Sequence, residues 1–261
     1  NIFVGQTEAP LMVRPFISTM TKSELMAVMV GGFATVAGGI LAIYVQWLTD
    51  IPGIAGHLLA ASVMSAPASL VVAKIIYPEL ESSKTQGDLN INIEKANSNA
   101  MEALASGATD GLKLAANVAG MLIAFISIIA MFNYLLSFAN TSIDQILGLL
   151  FQPLAWTMGI PWEDSAIVGT LMGKKIAFTE LIAFGDLKNI IATGQISDRS
   201  ALIASYALCG FANFGSIGIQ LGGIGGMAPE RKKDLSKLVT KAMIGGAIAS
   251  WLTATIAGLI I

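Results

Sequence analysis

The sequence contains few charged residues, and long stretches of it contain none. Asp, Glu, Lys and Arg make up 12% of its 261 residues, about half the share in an average soluble domain. Five stretches without any of them cover residues 25–49, 51–73, 114–143, 200–229 and 242–261. Each is close to or above the roughly 20 residues that cross about 30 Å of hydrocarbon as a helix. Five such helices cannot all be buried inside a domain of this size. The composition therefore excludes a soluble protein and predicts an all-α integral membrane protein.

Cysteine and histidine are also scarce. The single cysteine, Cys209, excludes a disulfide within the chain. Neither a His-Glu-x-x-His nor a Gly-x-Ser-x-Gly motif occurs. Two carboxylates could still act as an acid and a base, but no cofactor motif accompanies them. We therefore predict that the chain is not an enzyme and has no cofactor. The net charge of −2 gives no indication of a nucleic-acid partner.

Two apolar segments are interrupted by polar residues before they are long enough to span a bilayer. The first, Asn1–Ile17, contains Gly-Gln-Thr-Glu at positions 5–8. It fits one half of a re-entrant hairpin with this tetrad at the tip. The second, Ala166–Thr193, contains Thr179 and Glu180 and predicts a complete hairpin. A carboxylate at membrane depth is unfavourable unless it faces a wet site or a partner, so both hairpins are candidates for function.

The other apolar stretches predict helices. We expect spans over Leu25–Leu48, Ala55–Ile76, Leu114–Phe138, Ser200–Met227 and Ala242–Ile261. An amphipathic segment, Met101–Lys113, precedes the third span, and an interfacial helix, Ile143–Met158, follows it. Five cations between positions 229 and 241 predict a cytoplasmic loop.

An internal repeat relates the two ends of the chain. Gly-Phe-Ala-Thr at 32–35 and Gly-Phe-Ala-Asn at 210–213 each follow a hairpin with a Thr-Glu pair. Repeated halves with interrupted helices are typical of secondary transporters with inverted repeats and a site near the midplane. We predict repeats over residues 1–76 and 141–261, forming a transport domain, with a connector and scaffold helix over 77–140. Glycines between 215 and 226 make unwinding feasible there. They could equally be helix-packing contacts, and Asn213 could be a bridge between helices.

Three longer strings identify a family resemblance. They are Asn-Ile-Phe-Val-Gly-Gln-Thr-Glu-Ala-Pro-Leu from Asn1, Ala-Leu-Cys-Gly-Phe-Ala-Asn-Phe-Gly-Ser-Ile from Ala207, and Leu-Gly-Gly-Ile-Gly-Gly-Met-Ala-Pro-Glu-Arg from Leu221. In order and along the whole chain, the sequence resembles the concentrative nucleoside transporters. The resemblance implies a homotrimer in the cell membrane, either a plasma membrane or a bacterial inner membrane. It also implies nucleoside uptake driven by an inward sodium gradient. We expect the chain to correspond to the C-terminal two thirds of such a protein.

The resemblance also implies which residues bind the nucleoside. The base would be held at the first hairpin tip, by Gln6, Thr7 and Glu8, with Ile40 as an apolar wall. The ribose hydroxyls would be held by Glu180, Asn213 and Ser216, with Phe211 beside them. A carboxylate that accepts hydrogen bonds from hydroxyls suits such a substrate. Because Gly5 leaves room beside Gln6, we predict that both purine and pyrimidine nucleosides are accepted.

Sodium in the resembled family lies between the first hairpin tip and the neighbouring helix. The matching positions are Asn1, Val4, Thr35 and Val36. These residues offer backbone carbonyls, an amide oxygen and a hydroxyl, which are the oxygen ligands that a hard cation prefers. Two alternatives remain open, namely proton coupling and a transporter or channel of the same architecture for another polar solute.

Overall fold

The computed structural model of the protein describes residues 3–84 and 99–261. Every regular element in these residues is a helix, which confirms the predicted all-α fold. The α-helices are α1 Glu8–Met12, α2 Arg14–Ile17, α3 Lys22–Ala34, α4 Gly38–Trp47, α5 Ile54–Ile76, α6 Ala100–Ser137, α7 Ile143–Thr157, α8 Trp162–Ala177, α9 Glu180–Ala192, α10 Asp198–Leu208, α11 Phe214–Met227 and α12 Lys232–Ile260. The predicted polar connector lies mostly outside the described residues, as do Asn1 and Ile2.

Four helical segments in the described part are long and apolar enough to cross a membrane. They are Lys22–Trp47, Ile54–Ile76, Ala100–Ser137 and Pro229–Ile260. The protein is therefore a multi-pass membrane protein, as the runs without charge predict. Lys22–Trp47 combines α3 and α4, which are separated by residues 35–37 and are not one continuous helix.

Two predicted spans are broken in the middle. Residues 35–37 separate α3 from α4, and Thr35 there is extended, with φ −114° and ψ 164°. Residues 209–213 separate α10 from α11, where Gly210 has a φ of +101°. The predicted spans Leu25–Leu48 and Ser200–Met227 are therefore each divided into two helices, which confirms the expectation of broken helices. An interrupted helix is therefore present in each half of the chain.

The position of the second break also differs from the prediction. The glycines between 215 and 226 lie inside regular helix, not in unwound backbone. A glycine in a helix interior lowers stability by only about 1 kcal/mol relative to alanine, which packing can offset. At Gly218 an added Cβ would lie 2.8 Å from Cδ2 of Phe125, so this glycine allows α6 to approach α11 closely. The packing alternative for these glycines is the one that the structure supports.

The two breaks contact each other because of Gly210. A Cβ at this position would lie 2.7 Å from the carbonyl oxygen of Ala34 and 2.8 Å from Oγ of Ser250. Its left-handed φ is also unfavourable for any residue with a side chain. Gly210 thus permits the two interrupted helices to meet at their unwound segments.

Each break is accompanied by a hairpin. In the second hairpin, α8 and α9 are joined by Phe178 and Thr179 alone, which confirms a tight re-entrant turn. In the first, the described residues form a turn over positions 5–7 followed by α1 and α2. Helix α7 packs along α8, where Gly169 would place a Cβ 2.7 Å from the carbonyl oxygen of Gly148.

Two helices extend beyond the apolar segments from which they were predicted. The segments Met101–Lys113 and Leu114–Phe138 form one helix of 38 residues, α6. Helix α12 begins at Lys232, ten residues before the predicted span at Ala242. The loss of charge marks where a helix enters an apolar environment, whereas the backbone hydrogen bonds continue through the polar turns on either side.

Helix α12 connects the two halves of the chain. It packs against α3 and α5 of the first half and against α10 and α11 of the second half. Next to it, Arg231 Nη1 lies 3.1 Å, 3.1 Å and 2.7 Å from the carbonyl oxygens of Ile17, Ser18 and Met20. The predicted cytoplasmic loop therefore contributes an arginine that anchors the end of the first hairpin. The side of the membrane on which it lies stays a prediction.

Candidate binding site between the hairpin tips and the broken helices

A buried carboxylate lies at the start of the second hairpin's returning helix. Glu180 is the first residue of α9 and is 5% exposed. Asn213, the N-cap of α11, donates from Nδ2 to Glu180 Oε2 at 3.0 Å. The Oδ1 atom of Asn213 accepts from the backbone N–H of Ser216 at 2.7 Å. Two helix N-termini, whose partial positive charge favours an anion, therefore converge on this carboxylate.

The other oxygen of Glu180 is held from the first half of the chain. Tyr44 in α4 donates from its hydroxyl to Glu180 Oε1 at 3.3 Å. Its ring is fully buried and stacks on Phe184 of α9, with ring centroids 4.0 Å apart. We did not predict a role for Tyr44 from the sequence. The sequence could have indicated it, because Tyr44 lies in an apolar stretch and a buried tyrosine hydroxyl usually has a hydrogen-bond partner.

The first hairpin tip bonds to the second broken helix. Gln6 donates from Nε2 to Ser216 Oγ at 3.0 Å. Gln220, one turn further along α11, donates from Nε2 to Gln6 Oε1 at 3.5 Å and to the carbonyl oxygen of Met29 at 3.0 Å. Gln220 is fully buried, and its Oε1 has no partner among the described residues. Gln6, Ser216, Asn213, Glu180 and Tyr44 thus form one continuous polar path.

The remaining residues predicted for the base lie beside this path. Thr7 is buried and donates from Oγ1 to Glu8 Oε2 at 3.1 Å. Its methyl group lies against α11, 2.9 Å from where a Cβ of Gly223 would be. Glu8 itself is exposed, in contrast to Glu180. A Cβ at Gly5 would collide with the Glu8 carboxylate, so the space beside Gln6 is bounded by this side chain.

The two predicted apolar residues pack against the same hydrophobic core. Ile40 of α4 and Phe211 of the second break are both partly buried and pack against the same core cluster, which contains Val36 and Tyr44. The structure thus places Ile40 and Phe211 next to elements that carry Tyr44 and Asn213. An apolar surface beside a polar path suits a solute with an aromatic face and hydroxyl groups.

A buried lysine lies behind the second break. Lys175, near the end of α8, is fully buried, and its Nζ donates to the carbonyl oxygens of Ala207 at 3.0 Å and Cys209 at 2.9 Å. We assigned no role to Lys174 or Lys175 from the sequence, where they are adjacent in the second hairpin. Which of the two points inward is decided by tertiary packing. Lys174 instead pairs with Asp186 on the partly exposed side.

Of the four residues predicted to bind sodium, Thr35 and Val36 lie in the first break. Thr35 and Val36 are buried in the break, and Thr35 Oγ1 donates to the carbonyl oxygen of Gly31 at 2.9 Å. The carbonyl oxygen of Phe3 accepts from the N–H of Gly38 at 3.0 Å, so the hairpin tip is bonded to the break. Val4 is 43% exposed beside Phe3. Asn1 lies outside the described residues.

The donor chemistry at this break suits a hard monovalent cation. Within the described residues no cluster of three or more His, Cys, Asp or Glu side chains could hold a metal ion. The break instead presents a hydroxyl and carbonyl groups whose helical donors are lost where α3 ends. Such neutral oxygen ligands fit sodium better than a transition metal.

Comparison with known proteins decides the family. Residues 57–258 match the family described as "Na+ dependent nucleoside transporter C-terminus". The chain belongs to this family. Among curated relatives of this transporter segment, human "Solute carrier family 28 member 3" is 42% identical and mouse "Sodium/nucleoside cotransporter 1" is 41% identical, each over the whole chain. An "Uncharacterized transporter" of Haemophilus influenzae is 42% identical, again over the whole chain. These relatives are transporters rather than enzymes.

Solved structures show the same fold. The transporter segment matches "Structure of CNTnw in an inward-facing substrate-bound state" with a TM-score of 0.79 and 44% identity, over 99% of this chain. A substituted CNTnw in an outward-facing state matches with a TM-score of 0.77 and 42% identity. The chain spans 62% of the length of the CNTnw chain and 40% and 43% of the two mammalian relatives. It covers 64% of the Haemophilus influenzae protein.

Proposed function

We propose that the protein imports nucleosides by secondary active transport, driven by an inward sodium gradient. The observation that carries this proposal is the polar path from Gln6 to Tyr44, with the buried Glu180 carboxylate between two helix N-termini. A solute rich in hydroxyl groups can replace these internal hydrogen bonds one for one. The family description and the name of the mouse relative both mention sodium and nucleoside. They support nucleoside as the proposed solute and sodium as the coupling ion.

The chemistry of each residue suggests how a nucleoside would bind. Glu180 would accept hydrogen bonds from ribose hydroxyls, since bonds to a carboxylate are charge-assisted and strong. Asn213 and Ser216 would complete the ribose contacts. Gln6 both donates and accepts, so it can pair with the edge of a base, assisted by Thr7 and Glu8. Ile40 and Phe211 would contact the faces of the base or sugar. These assignments are proposals.

Sodium would bind at the first break, where the hairpin tip and the end of α3 meet. Thr35 would contribute its hydroxyl, and Val4 and Val36 their carbonyl oxygens, together with Asn1. Because Gly38 bonds to Phe3 at this place, a cation here would brace the hairpin tip that carries Gln6. This arrangement would link sodium binding to the shape of the base site.

The assembly we propose is a homotrimer in a lipid bilayer. Helix α6 is almost entirely exposed over its most apolar part. Its α11-facing side packs on glycines, and the rest is available to lipid or to another copy. We propose that residues 77–140, which include α6, belong to a scaffold. Residues 1–76 and 141–261 would form the moving transport domain.

Uptake into liposomes tests the proposed function. The full-length purified protein would be reconstituted, and labelled uridine and adenosine would be offered under an inward sodium gradient. Potassium gradients and a pH jump serve as ion controls. Glu180→Gln removes the charge of the buried carboxylate, and Glu163→Gln makes the same change at an exposed position on the same hairpin.

The expected result is concentrative uptake of both nucleosides with sodium alone. Glu180→Gln should abolish it, while Glu163→Gln should leave it unchanged. Uptake driven by the pH jump would refute sodium coupling but keep the nucleoside site. No uptake of either nucleoside under any gradient would refute the proposed substrate.

A further inference from the structure

Gln220 is a buried amide to which the proposed transport cycle assigns no role. It lies in α11, one turn after Ser216, and its side chain is fully buried. Its Nε2 atom lies 3.0 Å from the carbonyl oxygen of Met29 and 3.5 Å from Oε1 of Gln6. One side chain of α11 therefore contacts both the interior of α3 and the tip of the first hairpin.

Stability alone does not explain an amide at this position. The Oε1 atom of Gln220 has no hydrogen-bond partner among the described residues. A buried acceptor without a donor is unfavourable, and an apolar side chain of similar size would avoid it. The fold nevertheless makes room for the amide, since a Cβ at Gly32 would lie 2.6 Å from its Nε2. Departures of this kind from good packing are expected at functional sites.

The Met29 carbonyl group determines which way two amides point. A backbone carbonyl group only accepts hydrogen bonds, so the Gln220 atom beside it must belong to the NH2 group. That NH2 group only donates, so the Gln6 atom that faces it must be Oε1. The Nε2 atom of Gln6 is therefore turned toward Ser216, to whose Oγ it donates at 3.0 Å. Ser216 could not set this order by itself, because a hydroxyl group both donates and accepts.

The order of donor and acceptor in Gln6 matters because two classes of base carry opposite patterns. Uracil and hypoxanthine present an oxo group, which accepts, next to a ring N–H, which donates. Cytosine and adenine present an amino group, which donates, next to a ring nitrogen, which accepts. An amide that is held in one orientation matches one pattern, and the reversed amide matches the other. On the side of Ser216, where the ribose contacts are proposed, Gln6 presents its donor.

We propose that Gln220 sets the base preference of the site by fixing the orientation of the Gln6 amide. The favoured substrates are nucleosides whose base carries an oxo group, such as uridine and inosine, over those with an amino group, such as cytidine and adenosine. This selection is independent of ring size, and it rests on the proposed function. Gln220 is a positioning residue, since it acts on the base through Gln6. The natural protein should bind the oxo nucleosides about tenfold more tightly.

Binding of four nucleosides to the full-length protein tests the inference. Kd values for uridine, cytidine, inosine and adenosine would be measured at saturating sodium for the purified natural protein and two variants. Gln220→Met keeps the approximate volume and removes the donor that holds Gln6. Gln220→Glu replaces that donor by an oxygen, whose neutral carboxyl group would donate to the Met29 carbonyl group and accept from Gln6. The same two changes at Gln152, a partly buried glutamine of α7, are the matched controls.

The expected result is a change in the order of affinities. The natural protein and both Gln152 variants should favour the oxo nucleosides by about tenfold. In Gln220→Met the Gln6 amide can turn either way, so the ratio should fall to about one. In Gln220→Glu the amide is reversed, so cytidine and adenosine should bind more tightly than uridine and inosine. General loosening of the site would weaken all four nucleosides together and could not reverse their order.

Three outcomes would overturn the inference. The first is a natural protein that binds oxo and amino nucleosides equally or favours the amino class, a result that needs no variant to fold. The second is a natural ratio that persists in Gln220→Met, which would show that another group orients Gln6. The third is an equal loss of all four nucleosides in both Gln220 variants. If the natural protein binds none of the four, the proposed substrate fails and the inference falls with it.

Discussion

Removing one hydroxyl group, with Tyr44→Phe, tests whether the first half of the chain sets the ribose site. The Tyr44 hydroxyl is the donor to Glu180 Oε1, at 3.3 Å, while Asn213 holds Oε2. The phenylalanine ring would keep the stacking on Phe184, whose centroid lies 4.0 Å away. The variant therefore changes a single hydrogen bond and leaves the packing of the site intact.

The size of the effect follows from the geometry of this bond. Hydrogen bonds to a charged group contribute about 1.5–3 kcal/mol. The Tyr44–Glu180 distance of 3.3 Å exceeds the usual range of about 2.5–3.0 Å for O–H···O bonds, so the lower end applies. A loss of about 1.5 kcal/mol corresponds to a roughly tenfold rise in Kd. Because a bound ribose would recover part of it, we expect a rise of about three- to tenfold.

The assay compares three ligands in the natural protein and in the variant. Kd values for uridine, 2′-deoxyuridine and 3′-deoxyuridine would be measured at saturating sodium. If Tyr44 acts by orienting Glu180 toward the ribose, the loss should be smaller for the analogue that lacks the contacted hydroxyl. Tyr206→Phe is the matched control, since its hydroxyl pairs with His57 Nδ1, outside the polar path.

Two results would refute this reasoning. Equal losses for uridine and both deoxy analogues would show that Tyr44 does not act through the ribose. An unchanged Kd for uridine would show that Glu180 keeps its orientation without Tyr44. A loss of similar size in Tyr206→Phe would point to general destabilisation of the buried core in place of a local effect.

Three further predictions concern other parts of the chain. Gly5→Ser must displace the Glu8 carboxylate and narrow the base site, so adenosine uptake should fall more than uridine uptake; equal loss would remove the steric argument. Arg231→Ala removes the contacts to three carbonyl groups and should lower stability by about 2–4 kcal/mol, seen as a lower Tm than in the exposed control Lys233→Ala. Burial alone would raise the pKa of Glu79, but hydrogen bonds from Thr21 and Lys74 bring this pKa below its ordinary value. The ionised Glu79 carboxylate should therefore stabilise the fold slightly above about pH 4.3, and this stabilisation should be lost as the pH falls below that value. Glu79→Gln should flatten this part of the Tm–pH curve, and an unchanged curve would contradict the assignment.

The membrane helices were predictable because the bilayer imposes a length on them. A stretch without charge of about 20 residues has few alternatives to spanning, and α5 coincides closely with its predicted range. The breaks were harder to place. Six glycines favoured unwinding at 215–226, yet those residues stay helical and several of them pack against α6, whereas Gly210, in the break itself, adopts a left-handed φ. Close packing by a neighbouring helix, invisible in a single sequence, decides between these outcomes.

The candidate site was predictable only where motif residues carry it. Gln6, Asn213 and Ser216 stand in strings that resemble a known family, and Glu180 stands in the Thr-Glu pair of the internal repeat. The structure joins these four residues by hydrogen bonds. Tyr44 and Gln220 belong to no such string. They reach the site through contacts across 136 and 214 residues of sequence. Their roles depend on how the two halves pack together, which local sequence patterns do not encode.

The contacts of the two hairpins cross between the halves of the chain. The first hairpin bonds through Gln6 to Ser216, in the second half, and the second hairpin bonds through Glu180 to Tyr44, in the first half. The two breaks also approach each other closely at Gly210, where a Cβ would lie 2.7 Å from the carbonyl oxygen of Ala34. A solute that replaces the Gln6 and Glu180 bonds acts on both halves at once. A solute that replaces only one of these bonds leaves the other hairpin bonded to the opposite half of the chain. In a transporter built in this way, movement of the proposed transport domain can therefore depend on a fully occupied site.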